Sequence, residues 1–203
     1  MNDPVCATGK GGSRADAQRD RILCAALKCF IEEGFHAASM ASIAAGAQMS
    51  VGLIYRYFAN KQAIVLAIVE RQLVEKRTLI RQLQSSAQLT DDLVKAFAAW
   101  CVPGPGSMSV ALSLEMSAEA TRNPEIAAAL LRSDTSTRAE FQEWLCRSRE
   151  QGGMAMSRDA AATRALAVRI IVDGLTLRAA REPGLDLGEL RRVLQVQIDH
   201  LLA

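Results

Sequence analysis

Apolar residues recur every three or four positions along most of the chain, and this spacing is typical of amphipathic helices. Within residues 14–33, for example, one helical face carries Ile22, Ala25, Ala26, Cys29 and Phe30. No segment alternates apolar and polar residues as a strand would, and no internal repeat is present. The pattern predicts an all-α protein with about nine helices, near residues 14–33, 40–46, 51–57, 61–84, 91–101, 108–121, 124–151, 157–181 and 187–201.

Breaks between these segments coincide with residues that end helices. Gly34 follows the first segment, and Pro103-Gly104-Pro105-Gly106 separates the fifth from the sixth. We interpret residues 1–13 as a flexible tail and residues 14–60 as an N-terminal three-helix domain. Residues 61–203 would then form a second, larger helical domain.

Charge is distributed unevenly over these two parts. The 203 residues carry a net charge of +2, and this whole excess lies in the first 62 residues. The remainder is neutral, so an attraction to nucleic-acid phosphates would have to be local to the N-terminal domain.

Several functional classes find no support in the sequence. The two histidines lie far apart, at positions 36 and 200, and there is no Cys-x-x-Cys, Gly-x-Ser-x-Gly or phosphate-binding glycine loop. We therefore expect no enzyme, no metal site and no cofactor. We also find no membrane-spanning apolar run or signal peptide, and expect a cytoplasmic protein that does not bind membranes.

The segment from Ser39 to Lys61 has the pattern of two short helices joined by a turn, which is an arrangement that binds duplex DNA. We therefore interpret residues 14–60 as a helix-turn-helix DNA-binding domain. The third helix would point Ile54 and Phe58 into the core. Its outer face, the helix starts and the following cation would contact bases and phosphates. The predicted DNA-binding residues are Ser39, Ser50, Val51, Gly52, Leu53, Tyr55, Arg56, Tyr57 and Lys61.

Two short helices with this spacing also occur in many helical proteins that never bind DNA. In such proteins the two tyrosines would simply lie at the edge of the core. The pattern by itself therefore leaves open a helical interaction module without a nucleic-acid partner.

The same segment resembles the TetR/AcrR family of bacterial transcriptional regulators over about residues 15–65. The resemblance is carried, without a gap, by Gly34-Phe35, Ser39, Ile43-Ala44, Ala47, Met49-Ser50, Gly52, Ile54-Tyr55, Tyr57-Phe58 and Lys61.

Two positions depart from the family pattern. Gln48 stands where glycine is usual. If the turn required a left-handed backbone, glutamine would lower the folding stability by about 1 kcal/mol relative to glycine. Val51 stands where Lys or Arg is common, and could contact a thymine methyl group instead.

The resemblance implies a symmetric homodimer in which the last two helices of each chain form the interface. The apolar stripes of these helices fit that role. The alternative is that both helices cover the core of a monomer. The predicted interface residues are Leu166, Ile170, Gly174, Leu177, Leu190, Leu194, Ile198 and Leu201.

The resemblance further implies that residues 61–203 form an effector-binding and dimerisation domain, with a small-molecule effector bound between helices five to eight. Apolar, aromatic and methionine side chains would form adaptable walls, with three charged groups as anchors; most of them could instead be ordinary core residues. The candidates are Phe97, Trp100, Met108, Leu112, Glu115, Met116, Phe141, Trp144, Leu145, Arg169 and Asp173.

The function implied is that of a repressor released from a palindromic double-stranded operator by a small, largely apolar molecule. The alternative is an activator or a helical interaction module without a small-molecule effector.

Overall fold

The computed structural model describes residues 13–102 and 109–203. This part of the chain contains nine α-helices and one short 3-10 helix at Arg149–Gln151, so the predicted all-α fold is confirmed. The helices are α1 (Arg14–Glu33), α2 (Met40–Gly46), α3 (Val51–Tyr57), α4 (Lys61–Arg81), α5 (Ser86–Cys101), α6 (Val110–Ala120), α7 (Pro124–Cys146), α8 (Arg158–Arg181) and α9 (Leu187–Leu202).

All nine of these helices begin after a Ser, Asp or Asn whose side chain accepts a hydrogen bond from a backbone N–H of the first turn. This satisfies donors that the helix itself leaves unpaired. It also explains why α5 begins five residues earlier than the periodicity predicts, since Ser85 Oγ accepts from Gln88 N at 3.1 Å. The capping residues are Ser13, Ser39, Ser50, Asn60, Ser85, Ser109, Asn123, Ser157 and Asp186.

The described residues form two compact units. The first contains residues 13–69 and 109–127, and the second contains residues 70–102 and 128–203. In the first unit α1 packs on α2 and α6. Its fully buried side chains include Ile22, Leu27, Phe30, Ile43, Ile54 and Ile64.

The second unit has its own core, in which α5 packs on α8 and α9. Phe97, Trp144, Leu145 and Ile198 are fully buried there. Trp144 also donates from Nε1 to the carbonyl oxygen of Gly152 at 3.0 Å, so the indole N–H has a partner. Burial of these large side chains is the main stabilising contribution to the unit.

An ion-pair network in the second unit joins α4 to α7. Glu140 accepts hydrogen bonds from Arg81 Nε at 2.6 Å and from Arg77 Nε at 2.9 Å. The hydrogen bond from Arg81 lowers the pKa of the Glu140 carboxyl. The carboxylate is therefore held in its charged form, and it fixes the second half of α4 against α7.

None of the described helices combines the length and apolarity needed to cross a bilayer.

Candidate nucleic-acid interface and interior cavity

The turn between α2 and α3 is closed by backbone hydrogen bonds of the Schellman type. Gln48 N donates to Ala45 O at 3.0 Å, and Met49 N donates to Ala44 O at 2.9 Å. Closing the turn in this way places Gln48 at φ 54°, in the left-handed region. The departure from glycine noted in the sequence therefore falls on a residue with a strained backbone.

Two arginines on α1 hold the ends of α2 and α3, and sequence reasoning missed both. Arg21 Nη2 donates to Ala47 O at 2.7 Å, and Arg19 Nη1 donates to Tyr57 O at 3.4 Å. Arg19 also lies 4.6 Å from the ring centre of Phe58. Cations at helix C-termini are favourable, because unpaired carbonyls carry partial negative charge there.

One face of α3 is open to solvent. It carries Val51, Gly52, Tyr55 and Arg56, and Tyr55 is 52% exposed. A Cβ placed on Gly52 would meet no heavy atom within 4 Å, so an approaching molecule could come close to the backbone here. Within the described residues the guanidinium of Arg56 has no ion pair or hydrogen bond. We define these four residues as the α3 face.

The inward side of α3 and the residue that follows the helix are buried, as the helical period requires. Ile54 is fully buried and Phe58 is 3% exposed, as expected from the sequence. Leu53 and Tyr57 are half-buried at the edges of the α3 face.

Ser39 and Ser50 remain exposed while capping their helices. Ser39 Oγ accepts from Ser42 N at 3.0 Å, and Ser50 Oγ accepts from Leu53 N at 3.2 Å. Both hydroxyl groups therefore have a structural task besides any contact with a phosphate.

Lys61 has a different role from the one predicted. Its Nζ donates to the carbonyl oxygens of Phe35 at 2.6 Å, His36 at 3.0 Å and Ala38 at 2.8 Å. An ammonium group has three donors, so all of them are used. Burial lowers the pKa of this group, while Glu119 acts in the opposite direction. The expected direct contact between the Lys61 ammonium and a phosphate is corrected to a clamp on the loop between α1 and α2.

Glu115 holds the same loop from α6. Its Oε2 accepts a hydrogen bond from Phe35 N at 2.7 Å, within the first unit. The expectation that Glu115 anchors an effector is therefore corrected, because its carboxylate already accepts a hydrogen bond from the backbone of the loop. Leu112 and Met116, also predicted as effector contacts, are buried in the first unit.

A cavity of about 180 Å³ lies within the second unit, and we call it the second-unit cavity. Three of the predicted effector contacts line it, namely Trp100, Phe141 and Arg169. The second half of α4, which sequence reasoning missed, contributes Lys76, Leu79 and Ile80, and Leu83 follows in the segment between α4 and α5. The sequence signal for the three apolar residues was the apolar stripe predicted for the fourth helix, which does not distinguish a cavity wall from a core; Lys76 had no such signal.

The remaining predicted effector contacts do not line this cavity. Phe97, Trp144 and Leu145 are fully buried in the core of the second unit. Asp173 is 60% exposed and pairs with Arg169, whose Nη2 lies 2.7 Å from Asp173 Oδ1. Met108 lies outside the described residues.

The predicted dimer residues divide by helix. On α8, Leu166, Ile170, Gly174 and Leu177 are exposed and lie on one face. On α9, however, Leu190, Leu194 and Ile198 are buried within the protomer, and Leu201 is half-buried.

The α9 part of the predicted interface is therefore corrected, because the most apolar stripe of an amphipathic helix is used by its own core. α9 packs mainly on α5. The apolar residues that α9 leaves exposed are Leu187, Val193 and Val196.

Comparison with known proteins agrees with this architecture. The sequence model of the bacterial regulatory proteins, tetR family, matches residues 22–68, and that of the BetI-type transcriptional repressor C-terminal domain matches residues 90–203. The chain belongs to the TetR family of transcriptional regulators. It is a helix-turn-helix, DNA-binding regulator, and the predicted family and function class are confirmed.

Relatives of this TetR-family chain include the transcriptional regulator UidR of Escherichia coli (strain K12), which is 32% identical over 141 residues, or 70% of each chain. The solved structure of Salmonella enterica GusR is 26% identical, covers 96% of this chain and 99% of its own, and has a TM-score of 0.73. A regulator from Pseudomonas aeruginosa PAO1 shares the fold at 22% identity, covering 94% of this chain and 92% of its own, with a TM-score of 0.71.

Replacing Gln48 by glycine should stabilise this regulator, because glycine adopts the left-handed conformation without strain. We expect Gln48→Gly to raise the free energy of unfolding by about 0.5–1 kcal/mol, measured by urea denaturation. The matched control is Ala45→Gly within α2, where glycine should lower it by about 1 kcal/mol. A loss of stability in the Gln48 variant would contradict a left-handed residue at this turn.

Removing the Lys61 ammonium should leave three carbonyl groups without their donor. We expect Lys61→Met to lower the free energy of unfolding by about 1–3 kcal/mol while the salt dependence of DNA binding stays unchanged. Lys28→Met, at an exposed position of α1, is the control and should change stability by less than about 0.5 kcal/mol. If the Lys61 variant had normal stability and its DNA binding depended less steeply on salt, the original hypothesis of a phosphate contact would be supported instead.

Proposed function

We propose that this chain is a repressor that binds a palindromic operator as a homodimer in the cytoplasm and leaves it when a small molecule binds. The observation that carries the DNA-binding part is the α3 face. It presents an exposed glycine beside an arginine that has no partner among residues 13–102 and 109–203, on a helix whose inner side is packed. A recognition helix needs a close backbone approach together with side chains that reach base edges.

Each residue of the α3 face has a role suited to its chemistry. Arg56 can donate two hydrogen bonds to the O6 and N7 atoms of guanine, and Val51 can contact a thymine methyl group. The hydroxyls of Tyr55 and Tyr57, with those of Ser39 and Ser50, suit phosphate oxygens. Leu53, at the edge, adds apolar contact.

The homodimer is supported by the exposed apolar face of α8. Leu166, Ile170 and Leu177 are large apolar side chains in water, and Gly174 allows a second helix to approach closely. Val193 and Val196 of α9 extend the apolar surface. A twofold axis through this face would present two copies of α3 to half-sites roughly 34 Å apart, or a longer separation.

The second-unit cavity supports the effector. It is concave and mostly apolar with a few charged groups, as ligand sites usually are. A ligand would release the operator by binding more tightly to a conformation of the dimer that does not fit the DNA, and the shift cannot exceed that difference in affinity.

Arg56 provides the test of base recognition. We would select binding sites from a random duplex library with the wild-type protein, then measure affinity by fluorescence anisotropy over a series of salt concentrations. Arg56→Gln should weaken binding to the selected site about tenfold or more, flatten the preference at one base pair and lower the salt slope by about 1.

Arg122→Gln, at an exposed position after α6, is the matched control and should retain the sequence preference. If the wild-type protein enriches no duplex, the proposed function is wrong. If the Arg56 variant keeps the full preference, another residue reads the bases.

Ile170 provides the test of the dimer. It is 62% exposed, and an aspartate there would place two charges in the proposed interface. We expect Ile170→Asp to sediment as a monomer and to bind half-sites only weakly. Leu131→Asp is the control, because Leu131 on α7 is 63% exposed and should not affect the dimer. Dissociation of the control variant instead would move the interface to α7.

A further inference from the structure

The second-unit cavity combines apolar walls with an uneven set of charges. Its walls include Leu79, Leu83, Leu93, Trp100 and Phe141, and its charged lining residues are Lys76, Arg138, Arg169 and Asp92. Three cations, one anion and the hydroxyl-bearing Thr137 thus border a space whose other lining residues are apolar.

Both arginines of the lining form ion pairs with neighbouring carboxylates. Arg169 Nε lies 2.6 Å from Asp134 Oδ1, and its Nη2 lies 2.7 Å from Asp173 Oδ1. Arg138 Nε lies 2.9 Å from Asp134 Oδ2. Two arginines are therefore balanced by two aspartates, and neither arginine leaves an uncompensated charge at the cavity.

The single anion of the lining also has a partner. Asp92 Oδ1 lies 3.1 Å from Lys95 Nζ on the same helix, and Lys95 is not a lining residue. This pair is neutral as a unit, so Asp92 does not balance the remaining cation of the cavity.

Lys76 is the cation that remains. In the described part of the chain its ammonium has neither a hydrogen bond nor an ion pair. The residue is exposed to solvent, yet desolvation by surrounding protein lowers its pKa, and Arg169 lowers it further; Asp173, Asp134 and Glu75 act in the opposite direction. Lys76 lines the second-unit cavity, so its ammonium is accessible to a ligand there.

We propose that the effector is a small apolar carboxylic acid, whose carboxylate pairs with Lys76 while its apolar part lies between α4, α5, α7 and α8. This inference rests on the proposed function, since it names the ligand class of the same cavity. The binding step is an ion pair in a partly desolvated site, where hydrogen bonds between charged groups are strongest.

Charge and size narrow the class of ligand. Among the described lining residues one cation has no ion-pair partner, which matches a monoanion, whereas a phosphate dianion would leave a charge unpaired against apolar walls. A cationic ligand would be repelled by the ammonium group of Lys76. For size, an engineered apolar cavity of about 150 Å³ holds benzene, so this cavity suits one ring with a short acid chain.

Three probes of similar shape test the charge: 3-phenylpropionate, 3-phenylpropanamide and 3-phenylpropylamine. Isothermal titration calorimetry on the full-length wild-type protein should show the acid binding at least roughly tenfold more tightly than the amide, and the amine most weakly. Lys76→Met should remove the preference for the acid without weakening the amide. Lys76→Arg should retain it, and Lys28→Met is the control for loss of one lysine elsewhere.

This ligand class would be overturned by equal binding of acid and amide, by an amine that binds as tightly as the acid, by an unchanged preference in Lys76→Met, or by no binding of any probe at millimolar concentration. If the wild-type protein nevertheless selected and bound a duplex, the proposed function would stand although this ligand class had failed. Conversely, a protein that binds the acid through Lys76 but selects no duplex would retain this inference and lose the proposed function.

Discussion

Burial of Ile54 and Phe58 beneath α3 is the constraint on which the nucleic-acid interface depends. A seven-residue helix is too short to be stable alone, so α3 exists because its inner face is packed. That packing sets the rotation of the helix and thereby decides that Gly52 and Arg56 face outward. Arg19 strengthens the arrangement, because it contacts both the Phe58 ring and the last carbonyl of α3.

Besides the arginines that pair with carboxylates, five cations of this structure show two further uses. Lys61, Arg19 and Arg21 donate to backbone carbonyls, where they fix loops and helix ends. Arg56 and Lys76 have no partner for their charged groups within the described residues. The first group builds the framework, while the second is available to an anion, either a nucleic acid at α3 or a small acid in the second unit.

The loop between α1 and α2 receives donors and acceptors from two other elements. Lys61 at the start of α4 supplies three hydrogen bonds to its carbonyls, and Glu115 on α6 accepts one from Phe35 N. Opposite charges on different helices thus hold one short backbone segment. This explains why α6 belongs to the first unit by packing, although it lies far along the chain from α1 to α3.

The number and order of the helices, the caps at Ser39 and Ser50, the inward face of α3 and the family were readable from the sequence, because they depend on local periodicity and on residues close together in the chain. Two helix boundaries were not, since α5 begins five residues earlier and α7 ends five residues earlier than predicted. Whether a side chain is free to bind a ligand or a second subunit does not depend on its neighbours in the sequence alone. Lys61 was expected to bind phosphate and Leu190, Leu194 and Ile198 to bind a second subunit, yet each is used within the protomer. Only tertiary packing decides such cases, because it brings in partners from distant helices that compete for the same donors and the same apolar face.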